Sequence, residues 1–149
     1  MQHLVAAGQL TPEVLTELMN KAEEFRKLLE TTDGRNQLRA LYPDKVVATL
    51  FYEPSTRTRL SHESAAQRLG MGVVSTENAA EFSSAIKGET IEDTVRVVAG
   101  YADAIVIRHK ETGILDRAAA ASPVPVINAG DGTGEHPTPV SYTHLTLPT

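Results

Sequence analysis

The chain is predicted to fold as an α/β domain of three layers, a four-stranded parallel sheet with helices on both faces. Three observations predict it. Short apolar runs at 45–52, 71–75, 103–108 and 124–128 read as strands, and the first, β-branched, lacks clean alternation, as a strand covered on both faces does. The segments between them recur at helical spacing, so strand and helix alternate, which favours parallel neighbours joined by crossover helices. At 149 residues and 41% hydrophobic, the chain can bury one ordinary core.

Thr11-Pro12 opens the first helix, threonine as the N-cap and proline at the first helical position, where its missing N–H is not needed. Val14, Leu15, Leu18, Met19, Ala22, Phe25, Leu28 and Leu29 follow at helical spacing. Asp33-Gly34 is expected to end that helix near residue 31, with glycine as a left-handed cap. Glu23, Glu24, Arg26 and Lys27 belong to its wet face. After the first strand, a second helix is expected through Leu60, Ala65, Ala66 and Leu69, stopped at Gly70. Residues 79–88 have no periodicity and read as a surface loop. Thr90, with Asp93 three residues on, makes a capping-box variant ahead of the stripe Ile91, Val95, Val98 and Ala99. A short helix at about 111–121 separates the third strand from the fourth.

The bulk numbers exclude several classes. A net charge of -5, with no long basic run, argues against a nucleic-acid partner. No apolar run is long enough to span a bilayer and no signal peptide is visible, so a membrane partner is not expected and the default location is cytoplasmic. There is no cysteine, hence no disulfide, thiolate nucleophile or thiolate metal site.

The chemistry concentrates where the first strand hands over to a helix, in Phe51-Tyr52-Glu53-Pro54-Ser55-Thr56-Arg57-Thr58-Arg59-Leu60. A helix N-terminus offers unpaired N–H groups and partial positive charge. With the hydroxyls of Ser55, Thr56 and Thr58 and the guanidinium of Arg57 it can cage a dianion such as phosphate. An N-cap flanked by two solvated arginines explains the same stretch equally well. The neighbouring strands tip the balance. Ligands of open α/β sheets bind beyond the carboxyl ends of the strands, and there the chain also places Arg108-His109 and the glycine-rich run Asn128 to His136. In that run glycines permit close ligand approach, and His136 can donate to a carbonyl oxygen. Ser83 to Glu89 adds hydroxyls and Lys87, a weak signal that a solvated lysine also explains. The five histidines are scattered, so no metal site is expected. Neither a Walker-A loop nor a dinucleotide glycine fingerprint is present, which disfavours a nucleotide.

The stretch at 51–61, Phe-Tyr-Glu-Pro-Ser-Thr-Arg-Thr-Arg-Leu-Ser, resembles the carbamoyl-phosphate signature of the aspartate and ornithine carbamoyltransferases. Ser83 with Lys87-Gly88-Glu89-Thr90, and Asn-Ala-Gly-Asp-Gly-Thr-Gly-Glu-His-Pro-Thr at 128–138, resemble the aspartate branch. The resemblance runs from about residue 5 to 138 and implies the carbamoyl-phosphate-binding domain of a transferase of pyrimidine biosynthesis, needing no cofactor. It implies that Ser55, Thr56, Arg57 and Thr58 hold the phosphate, and that Arg108, His136 and Thr58 polarise the carbamoyl carbonyl, making Arg57, Thr58, Arg108 and His136 the catalytic set. Ser83 and Lys87 would reach a neighbouring subunit's site in a homotrimer, with a regulatory chain as a further partner. Glu53 resembles a residue that holds the family's closed domain arrangement. The implied substrates are carbamoyl phosphate and L-aspartate; the alternatives are a non-catalytic phosphate-binding module and an ornithine carbamoyltransferase fragment.

The pattern breaks at Pro139, where the family has glutamine. Val140 to Thr149 carries no helical periodicity. The expected organisation is therefore a domain at 1–138, an atypical tail at 139–149 from truncation or a misjoined end, and no aspartate-binding domain. Such a piece is expected to be inactive alone.

Overall fold

The computed structural model describes residues 2–77 and 88–134. Four strands, β1 (Val46–Phe51), β2 (Gly72–Glu77), β3 (Ala104–His109) and β4 (Val126–Asp131), form one sheet in the order β2-β1-β3-β4. All three pairings are parallel, with Phe51 in register with Arg108 and Ile107 with Asn128. Among the described residues five α-helices accompany it: α1 (Pro12–Leu29), α2 (Thr32–Arg39), α3 (Thr56–Arg68), α4 (Ile91–Val98) and α5 (Ile114–Ala121).

Period-two alternation assigns the faces. Ala48 and Leu50, with Ile105, Ile107 and Val126, point to the side covered by Val95 of α4 and Leu115 of α5. Val47, Phe51, Val106 and Ala129 point to the other side, where Ala66 of α3 packs. The three-layer α/β arrangement is thus the one expected. At the outer edge of β4 the N-terminal segment adds a single bridge. Leu4 N–H donates to Val126 O at 2.9 Å and Leu4 O accepts from Asn128 N–H at 2.8 Å. This covers a strand edge that would otherwise offer unpaired backbone groups.

The expected caps form at Thr11 and Thr90, whose hydroxyls accept from Val14 and Asp93 N–H. Gly34, however, is no cap. It lies inside α2, a helix that the sequence did not announce, because a β-carbon there would run into the carbonyl oxygen of Leu28. Its role is close approach of α2 to the end of α1. The expected apolar stripe of α3 also differs: Leu60 is 51% exposed and Ala65 is exposed, while Arg59, Glu63 and Ala66 face inward. Finally, β4 extends to Asp131, so Asn128 to Asp131 belong to the sheet rather than to a loop. Most of the expected loop at 79–88 and the tail at 139–149 lie outside the described residues.

Candidate functional site

From β1 the chain crosses to β2 on one side and then returns to place β3 on the other. The carboxyl ends of β1 and β3 therefore flank the switch point, the place where a parallel sheet opens a crevice. The sequence puts its anion-binding candidates there. Tyr52 continues the ladder by donating its N–H to Arg108 O at 2.9 Å. Glu53, Pro54 and Ser55 then turn the chain into α3, whose first intrahelical bond runs from Arg59 N–H to Ser55 O at 3.2 Å.

Ser55 occupies the N-cap position at φ -157 and ψ 87 but makes no side-chain cap bond. The N–H groups of the first helical turn, from Thr56 to Thr58, thus keep their capacity for an outside acceptor. Arg57 is exposed and makes no ion pair or side-chain hydrogen bond among the described residues. Arg59 behaves differently: its side chain is 22% exposed and its Nε stands 4.0 Å from Glu63 Oε1. The two arginines of the motif therefore do different things: Arg57 is solvent-facing and Arg59 is half-buried, and the side-chain cap bond of a plain N-cap is not formed.

Arg108 ties three strand ends together. Its Nε donates to Glu53 Oε2 at 3.2 Å and its Nη1 to Ala129 O at 3.1 Å. Gly130 makes this possible. At φ +137, a conformation that side chains disfavour, it leaves the space where a β-carbon would stand 2.7 Å from Arg108 Nη1. His109 tilts against Tyr52 with ring centroids 4.8 Å apart. Burial lowers the His109 pKa from its ordinary value, with the carboxylates of Glu111 and Asp131 opposing that shift. Its Nδ1 accepts from Glu111 N–H at 3.0 Å, which fixes the neutral tautomer with the proton on Nε2.

Part of the run read as a ligand loop is structural. Asn128 is 1% exposed; its side chain donates to Val5 O at 2.7 Å and accepts from Gly130 N–H at 2.7 Å. Asp131 is buried, and its Oδ2 accepts from Gly113 N–H at 3.0 Å, holding the start of α5. Ser55, Thr56, Arg57, Thr58 and Arg108 come to one sheet edge, whereas Ser83, Lys87 and His136 lie outside the described residues. Next to that edge is a cavity of about 190 Å³ between Tyr52, Thr94, His109 and Ile114. A larger one, about 280 Å³, lies at the far end of α3 between Arg35, Arg39 and Arg68, away from the switch point. The sequence did not single out Gly130's seating of Arg108 or the inward Arg59–Glu63 pair. The charged pair four residues apart on α3 was the available signal for the latter.

A family model described as the aspartate/ornithine carbamoyltransferase, carbamoyl-P binding domain, matches residues 2–147. The chain is 54% identical over 136 residues to the chloroplastic aspartate carbamoyltransferase of Oryza sativa subsp. japonica, covering 91% of this chain and 38% of that one. It is 51% identical over 138 residues to the aspartate carbamoyltransferase catalytic subunit of Archaeoglobus fulgidus, covering 93% and 44%. Among solved structures, the catalytic subunit of M. jannaschii aspartate transcarbamoylase superposes with a TM-score of 0.82 at 43% identity, covering 96% of this chain and 45% of that one. The Trypanosoma cruzi aspartate transcarbamoylase in complex with carbamoyl phosphate gives a TM-score of 0.86 at 32% identity, covering 97% and 45%. The chain thus spans less than half the length of these relatives.

Proposed function

The chain belongs to the aspartate/ornithine carbamoyltransferase family, and on that premise we propose that it binds carbamoyl phosphate at the β1/β3 switch point as half of an aspartate carbamoyltransferase site. The observation that carries the reading is the pairing, on one edge, of an uncapped helix N-terminus bearing Arg57 with Arg108 held across three strand ends. The phosphate lies against the first turn of α3, taking N–H groups and the hydroxyls of Ser55, Thr56 and Thr58. Arg57 neutralises it with a fork-shaped donor. Thr58 and Arg108, with His136, polarise the carbamoyl carbonyl.

The aspartate amine then attacks the carbonyl carbon. The C–N bond forms, the carbonyl oxygen takes up negative charge, and its collapse breaks the bond to the phosphate oxygen. Inorganic phosphate leaves with the electron pair, and the proton lost by nitrogen ends on phosphate or solvent. The products are N-carbamoyl-L-aspartate and phosphate. Placed positive charge and orientation lower this barrier without a covalent enzyme intermediate. Aspartate is presented by sequence outside the 2–147 match, within a domain arrangement whose boundary we place near residue 138. Ser83 and Lys87 serve a neighbouring site in a homotrimer that a regulatory chain can join. The curated relatives named above are aspartate enzymes, which supports that branch over ornithine. Among the described residues no helix is long and apolar enough to cross a membrane. A cytoplasmic location is part of the proposal, although the rice relative is named as chloroplastic.

Titration calorimetry with carbamoyl phosphate tests the site. Removing a charged hydrogen-bonding partner costs about 1.5–3 kcal/mol, so Arg57→Ala is expected to weaken binding by about 10- to 150-fold. Unchanged affinity in that variant would overturn the reading.

A further inference from the structure

We infer that Glu63 is a positioning residue for the anion cage, an inference that rests on the carbamoyl-phosphate reading above. Its Oε1 accepts from Thr49 Oγ1 at 2.9 Å and from Ser75 Oγ at 2.7 Å, and it stands 4.0 Å from Arg59 Nε. Thr49 and Ser75 are themselves 2.9 Å apart. One carboxylate oxygen thereby joins α3 to β1 and to β2. Thr49 is fully buried and the Glu63 side chain is only 16% exposed, so that end of the anchor sits inside the helix–sheet interface, while Ser75 on the edge strand is exposed.

Such an anchor is costly to bury, and an apolar contact would hold the helix with less desolvation. The sequence has the apolar residue at hand: Leu60 stands beside Arg59, yet it is 51% exposed. What the polar anchor adds is direction. Apolar contact is non-directional and tolerates small rotations of a helix against a sheet. A carboxylate taking hydroxyls from two different strands fixes both rotation and height. Glu63 lies five residues after Thr58, so about 7.5 Å along the axis separates the anchor from the first turn. A helix is stiff over that length, so an error at Glu63 becomes an error at Thr56, Arg57 and Thr58. The Arg59 side chain is 22% exposed on that same inner face, whereas Arg57 is exposed.

The test compares Glu63→Gln with Ala66→Gly. The second variant loosens the same face of α3 without touching the hydroxyl–carboxylate network. Both are measured for melting temperature, for carbamoyl phosphate affinity by calorimetry, and for amide exchange at Arg59 and Leu60. Positioning predicts that Glu63→Gln loses about 10-fold in affinity while Ala66→Gly, at a similar fall in melting temperature, loses less than about twofold. A purely structural Glu63 would make affinity follow melting temperature in both variants, and that result overturns the inference. If Glu63→Gln does not fold, Ser75→Ala removes one of the two hydroxyls and is expected to lose about threefold; full affinity in Ser75→Ala then counts against the anchor. If the unmutated protein binds no carbamoyl phosphate, the functional reading fails and amide exchange decides the anchor separately. Faster exchange in Glu63→Gln than in Ala66→Gly upholds it, and equal exchange overturns it.

Discussion

Gly130→Ala separates stability from ligand binding at Arg108. The new β-carbon would stand 2.7 Å from Nη1, 3.1 Å from Cζ and 3.2 Å from Cγ of Arg108. Comfortable non-bonded contact begins near 3.5 Å, so the guanidinium must retreat by about 0.8 Å or more. The end of an arginine side chain can usually swing away at little cost. This one is held by Glu53 at 3.2 Å and by Ala129 O at 3.1 Å, so retreat lengthens bonds already at the long end of their range. Two costs follow. Alanine at φ +137 is strained by about 1–3 kcal/mol, which lowers stability. Displacing Arg108 removes a charged contact to the ligand worth about 1.5–3 kcal/mol, which lowers affinity by 10-fold or more.

Gly113→Ala supplies the control. Gly113 also has positive φ, at +84, but a β-carbon there meets nothing within 4 Å, so it carries backbone strain without touching Arg108. Urea unfolding should show both variants destabilised, and calorimetry with carbamoyl phosphate should show only Gly130→Ala weakened. If Gly130→Ala binds within twofold of the unmutated protein despite losing stability, Arg108 is not a ligand and the three-strand tie is structural alone.

Two further outcomes test the scaffold. Asp103 accepts from Lys45 Nζ at 2.8 Å and from Val46 N–H at 2.9 Å, the first contact lowering its pKa most. A depressed carboxylate stabilises the fold fully above its ordinary value of 3.8 and loses that contribution as pH falls through the folded value. Thermal melts should therefore show Asp103→Asn below the unmutated protein at pH 7, with the gap closing below pH 3.8; a gap that persists there would refute the ion-pair account. Gly34→Ala would ordinarily stabilise a helix by about 0.5–1 kcal/mol. Here the β-carbon meets backbone, with Leu28 C at 2.7 Å and Cα at 2.8 Å, so denaturant unfolding should show a loss of about 1–3 kcal/mol. A stabilised variant would mean that α2 does not press on α1.

β1, β3 and β4 were legible because helices cover both of their faces, so each reads as an apolar run, whereas β2 was legible from its β-branched residues although it is an edge strand with Val74 42% exposed. The anion-binding turn was legible because it is local, four residues between the end of a strand and a helix. What escaped reading was non-local or polar. The α2 segment Thr32–Arg39 has Leu38 as its one large apolar residue and a glycine near its start, so it shows no stripe. Its helix is selected by packing, with Leu38 1% exposed and Gly34 against Leu28. Nor does the sequence distance between Gly130 and Arg108 carry any sign that one makes room for the other. That relation exists only once β3 and β4 are paired.

The rotation of α3 shows most clearly why pattern reading stops short of the site. Hydrophobic periodicity places Leu60 inward, and for a helix held by burial alone that would be right. Instead Arg59 and Glu63 face the sheet, because β1 and β2 present Thr49 and Ser75 there rather than apolar side chains. Thr49 follows the apolar pair Val47 and Ala48, so sequence marks it only as a β-branched strand residue, and its hydroxyl matters only opposite a carboxylate. The strands thus set which face of α3 turns inward. That choice turns Arg59 inward and leaves Arg57 exposed. Two arginines that look equivalent in Arg57-Thr58-Arg59 are distinguished by which face of α3 turns to the sheet, and the charge available to an incoming phosphate follows from that division.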